Sequence, residues 1–230
     1  ELTRGVVVLV FGTIAAQGLL VLMSPILTRL YAPADLGALS VYTAILSVLL
    51  TITCLSYELA IPLPEDRVVS ANVLGLSLVA NAATSAIAFV GLVIAGGGLL
   101  TSLGADRLAP YAPLIAVAQF AGGTVIALTA WAIRARRFTA IAGAQVVQSA
   151  GLMGGQISLG AIGAGPAGLV IGDVSARAIS ALSLSRAAWR ERSLDVSGIS
   201  RAGIGEAARR FRRFPILSTP SALLNTLGLQ

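Results

Sequence analysis

The sequence predicts an all-α fold, a polytopic bundle of transmembrane helices with six complete spans and the start of a seventh. Three observations carry this. Hydrophobic residues make up 56% of the 230, and mean hydropathy is +0.88. Charged residues are only 11%, against about 25% in a soluble domain whose surface faces water. The few charges also fall between long uncharged stretches, each near or above the roughly 20 residues that cross a hydrocarbon core.

Taken in order, the first such stretch is Gly5 to Thr28. Its apolar core exceeds a signal-peptide h-region and runs into SPILTRLY without a small-residue cleavage site, so it reads as a span. The second is Leu36 to Tyr57, the third Val68 to Ala105 with its apolar centre at Leu74 to Ala95, and the fourth Leu108 to Ile133. Phe138 to Ser185 holds only Asp173 and Arg177 and is too long for one helix. The turn signal GAIGAGP, Gly160 to Pro166, divides it into spans five and six. Ile216 to Gln230 begins a seventh apolar helix. The expected organisation is a six-span bundle over 1–185, a basic interfacial connection over 186–213, and the start of a further helix over 214–230.

Arginine placement sets the orientation. With the N-terminus in the cytoplasm, the inside segments hold Arg4, Arg67, Arg134, Arg136, Arg137 and every arginine from Arg186 to Arg213; the outside loops hold only Arg29 and Arg107. The positive-inside rule then places the N-terminus and the connection after span six in the cytoplasm. The basic stretch, with Trp189 near its start, is expected along the interface, attracted to anionic membrane lipids. A net charge of +6 does not indicate nucleic acid, because these arginines form no aromatic-interleaved basic surface.

Chemistry has little to work with. There is no histidine and a single cysteine, Cys54, and no HExxH, CxxC, P-loop or GxSxG pattern occurs. The expectation is a protein that is not an enzyme and needs no cofactor. GLMGG (Gly151 to Gly155) and GLVIG (Gly168 to Gly172) are small-xxx-small patterns that suit close helix packing.

The polar residues inside spans are the candidate site. Gln145, Gln148, Ser149 and Gln156 fall within an arc of about 100° on span five. Such amides face other helices or a wet cavity, never lipid. Asp173 and Arg177 are spaced i, i+4 near the middle of span six, on one helix face. Charges at that depth usually face an interior cavity; the plainer reading is that the two neutralise each other and pin the helix.

Four segments resemble the bacterial polysaccharide (O-antigen) flippases of the multidrug/oligosaccharidyl-lipid/polysaccharide exporter superfamily: SPILTRLYAPADLG (Ser24 to Gly37), YELAIPLPEDRVVSANVL (Tyr57 to Leu74), WAIRARRFTAIAGAQVVQS (Trp131 to Ser149) and RRFPILSTPSALLNTLGLQ (Arg212 to Gln230). They occur in order across almost the whole chain. Ser56 departs from the pattern, since many members carry arginine before the Tyr-Glu pair. The resemblance implies the first bundle of a two-bundle protein in the bacterial inner membrane, with alternating access around a central cavity. Its implied cargo is an undecaprenyl-pyrophosphate-linked oligosaccharide, with a coupling cation as a further partner. Arg177, Asp173, Gln145, Gln148, Gln156 and Arg29 are the residues expected to line that cavity. A multidrug exporter of the same superfamily and a non-transporting membrane scaffold are the alternatives.

Overall fold

The computed structural model describes residues 2–190 and 198–228. All regular structure among them is helical. The long helices are α1 (Leu2–Leu30), α2 (Pro33–Ile52), α3 (Arg67–Ser102), α4 (Ala112–Arg134), α5 (Phe138–Ala161) and α6 (Pro166–Arg190). Two short ones follow, α7 (Arg201–Arg210) and α8 (Thr219–Gly228). Single 3-10 segments occupy Tyr57–Ala60 and Asp106–Tyr111, and a π-helical turn occupies Phe214–Ser218. The part of the basic connection at 191–197, with Arg192, and the last two residues of the seventh span lie outside the described residues.

Five helices among the described residues are long and apolar enough to cross a membrane: α1, α2, α3, α4 with its 3-10 entry, and α6. The chain is therefore a polytopic, all-helical membrane-spanning protein. The sequence count of six differs by α5. That helix has 24 residues, long enough for a span, but its glutamines, serines and glycines are spread so that no stretch of it is as apolar as the most apolar stretch of each of the other five. It is sheltered from lipid on two sides, packed between α1 and α6.

Small residues set these contacts. A Cβ on Gly12 would strike Ala142 Cβ at 2.6 Å, and one on Gly160 would strike the Tyr31 ring at 2.8 Å. These two contacts run α1 parallel to α5. Gly151 meets Ala176, Gly155 meets Gly172, and Gly168 meets Leu159, so α5 and α6 run antiparallel in constant step. A Cβ on Gly155 would lie 3.1 Å from Gly172 Cα, so the two small-xxx-small patterns bring backbone against backbone.

The helix ends are tied. At one end Asp35 pairs with Arg107 at 3.0 Å, joining the start of α2 to the turn before α4. At the other, Arg134 donates to the carbonyls of Pro64 (2.8 Å) and Glu65 (3.0 Å), and Asp66 caps α3 through Val68 N–H at 2.8 Å. Helix α7 docks on the start of α3: Asn72 donates to Gly198 O at 3.0 Å and accepts from Ser200 N–H at 3.0 Å.

One boundary departs from the sequence expectation. The second span stops at Ile52, not Tyr57, and the chain passes through a left-handed turn with φ of 51° at Leu55 and 58° at Ser56. Neither glycine nor proline marks this break. Tertiary contacts hold it instead: Thr53, Cys54 and Ser56 are all buried, and Ser56 Oγ lies 3.0 Å from Thr219 Oγ1 of α8.

Candidate functional site

Asp173 and Arg177 lie about 11 and 17 Å along α6, a helix of 25 residues and about 38 Å. The i, i+4 spacing places their side chains together, and Arg177 Nε donates to Asp173 Oδ2 at 2.7 Å. The same oxygen accepts the Tyr42 hydroxyl of α2 at 2.7 Å. Tyr42 has no exposed surface and Asp173 only 7%. The site is thus a three-residue network joining α2 to α6 inside the bundle.

Space for the guanidinium comes from α4. A Cβ on Gly122 would sit 3.4 Å from Arg177 Nη1 and 2.7 Å from Leu50 Cδ2. The tight neighbour of such a Cβ is the Leu50 side chain, while the arginine tip would stand at contact distance beside the α4 backbone. Nε is used by Asp173, while Nη1 and Nη2 have no hydrogen-bond acceptor among the described residues. The Arg177 side chain keeps 20% of its surface, and neither terminal nitrogen is among the buried unpartnered atoms. The fork therefore remains accessible, with a charge balanced but not covered by Asp173.

The glutamines divide. Gln156 is buried; its Nε2 donates to Leu169 O of α6 at 3.0 Å, and its own carbonyl accepts the Tyr31 hydroxyl at 2.6 Å. That is interhelical bonding, not cavity lining. Gln145 Oε1 lies 3.0 Å from Thr13 Oγ1 of α1. Gln148 is half-buried and makes no hydrogen bond among the described residues. Arg29 is exposed at the far end of α1 and is not brought to the Asp173–Arg177 pair. Ser149 is buried in the same stripe.

Sequence reasoning missed Tyr42 and Gly122. A tyrosine in the middle of an apolar span was a usable signal, because a buried phenol needs a partner. Asp173 was the acid near the middle of a span that could serve as that partner.

A second polar cluster also escaped the sequence. Asn81 of α3, Thr53 at the end of α2, and Gln119 and Thr124 of α4 meet inside the bundle, with Thr53 Oγ1 2.7 Å from Asn81 Oδ1. In the turn after α2, Glu58 has a buried Oε2 without a hydrogen-bond partner.

No protein-family model, curated protein or solved structure matches the chain.

Proposed function

We propose that this chain is the first bundle of a flippase that moves a lipid-linked oligosaccharide across the bacterial inner membrane by alternating access. The supporting observation is the accessible Arg177 fork held within a membrane span by Asp173 and Tyr42. A charged side chain at that depth is costly unless it serves a cavity or a partner. A planar fork with two free nitrogens suits bidentate, charge-assisted bonds to a pyrophosphate. A sugar head group with many hydroxyls cannot enter hydrocarbon unassisted, so a polar path inside helices is what such a cargo requires.

In this reading α5 is the sixth spanning helix, tolerated despite its amides because α1 and α6 shield it. Residues 1–185 form the bundle, 186–213 a cytoplasmic interfacial connection, and 214–230 the entry to a second bundle. The N-terminus faces the cytoplasm. The four family-like segments support the cargo assignment.

Deletion of the full-length gene tests it. Lipid-linked repeat units should accumulate facing the cytoplasm, and surface polysaccharide should fall. Normal surface glycan in a strain without a redundant flippase would reject the proposal.

A further inference from the structure

Helix α1 leaves most of its surface uncovered. The helix it packs on is α5, and Ala16 and Met23 are buried on that side. Phe11, Ile14, Val21, Leu22 and Ile26 are exposed, as suits side chains that meet lipid tails. The polar side chains of the same stretch do not fit that surface. Thr13, Gln17, Ser24 and Thr28 are exposed as well. At about 100° per residue they fall within an arc of about 60°, and between Thr13 and Thr28 no apolar side chain falls inside it.

Hydroxyls can be quieted by their own helix. Thr13 Oγ1 lies 2.9 Å from Leu9 O, and Thr28 Oγ1 lies 3.1 Å from Pro25 O. Gln17 and Ser24 make no hydrogen bond among the described residues. A glutamine amide brings two donors and an acceptor oxygen, and such a group does not face hydrocarbon unsatisfied. Pro25 has no N–H to give the Val21 carbonyl one turn back, which adds a backbone acceptor to this part of α1. Gln145 carries the stripe onto α5: its Oε1 lies 3.0 Å from Thr13 Oγ1, and its amide NH2 has no acceptor among the described residues. The stripe runs about 22 Å along α1, most of a hydrocarbon core of roughly 30 Å. Tyr31 packs on Gly168 of the antiparallel α6, and Arg177 is nine residues further along that helix (177 − 168). Arg177 is therefore level with about Leu22 (31 − 9), and the stripe extends to both sides of it.

We propose that Thr13, Gln17, Ser24 and Thr28, with Gln145, form a track for the sugar units of the transported lipid-linked oligosaccharide, a proposal that rests on the flippase reading. The chemistry is complementary. Sugar hydroxyls donate and accept, and so do the amides and hydroxyls of the stripe. No charge lies anywhere from Gly5 to Thr28, so each bond to a sugar is a neutral one of modest net strength. Neutral bonds spaced along the helix exchange readily for bonds to water or to the next sugar, so the glycan slides and is not trapped. Charge is confined to Arg177, where a pyrophosphate needs it. The division assigns the uncharged part of the head group to α1 and α5 and the anionic part to α6.

The test is labelling of single-cysteine variants of the full-length protein, in isolated membranes, with a water-soluble thiol reagent. Gln17→Cys and Ser24→Cys probe the stripe, Ile14→Cys and Leu22→Cys probe the lipid side, and the unsubstituted protein with its buried Cys54 is the blank. The thiolate is the reacting form and apolar surroundings suppress it, so the stripe cysteines should react about tenfold faster or more than the other two. The repeat-unit oligosaccharide, released from its lipid, should then slow labelling at both stripe positions about twofold once half the sites are filled. Undecaprenyl pyrophosphate without sugars should leave those rates unchanged. Equal rates at all four positions would overturn the track. So would stripe labelling that the oligosaccharide does not slow, which would leave the stripe to water or to a neighbouring helix. Should Gln17→Cys not reach the membrane, the nearly isosteric Ser24→Cys carries both readings. Normal surface glycan in the deletion strain rejects the flippase reading, whereas lost surface glycan with unprotected cysteines rejects the track alone.

Discussion

Tyr42→Phe removes one hydroxyl from the centre of the α2–α6 contact and nothing else. The bond lost is a 2.7 Å O–H···O contact to an ion-paired carboxylate, and Tyr42 has no exposed surface through which water could replace it. Hydrogen bonds to charged groups contribute about 1.5–3 kcal/mol net. Phenylalanine fills the same volume apart from one oxygen, so no sizeable cavity term adds to this. Asp173 keeps Arg177 at 2.7 Å, which spares it from becoming an uncompensated charge and holds the loss within that range. Equilibrium unfolding in mixed micelles should therefore show Tyr42→Phe less stable by about 1.5–3 kcal/mol. In a double-mutant cycle with Asp173→Asn, most of that loss should appear as coupling between the two sites. A change below about 0.5 kcal/mol, the range of ordinary surface substitutions, would refute the argument that this hydroxyl holds α2 to α6.

A further prediction follows from the placement of the arginines. Cysteines at exposed Ala32, Ser102 and Ile162 should label from the periplasm and one at Leu63 from the cytoplasm, with buried Cys54 silent; cytoplasmic labelling at two of the first three would invert the orientation.

Helix positions were legible because charge and apolarity are local. Arg67, Arg134 and Phe138 mark helix starts and ends to within a residue or two of their place in the chain. The i, i+4 pair at Asp173 and Arg177 was legible for the same reason, since both members sit on one helix. The close packing of the two small-xxx-small patterns was legible too, but most else that depends on a second helix was not. The break after Ile52 involves residues compatible with continued helix, and its left-handed turn is imposed by burial against α3 and α8. Tyr42, Gly122 and the Asn81–Gln119 cluster depend on which faces meet, and hydrophobic spacing is nearly uninformative when lipid and core are both apolar. The stripe alone left Gln156 facing either another helix or a cavity, and its amide donates to an α6 carbonyl.

The central claim is that Arg177 offers its charge to the cargo while Asp173 and Tyr42 hold it in place. Surface polysaccharide should be measured in a deletion strain complemented with wild type, Arg177→Ala or Asp173→Asn/Arg177→Gln, with membrane abundance of each protein checked in parallel. Removing one partner of a largely buried pair costs about 3–5 kcal/mol, so the double variant, which strands no charge, should recover folding. The account predicts that it reaches the membrane in normal amount and still exports no glycan. Export restored in the double variant would contradict the account and leave the pair as a pin between helices.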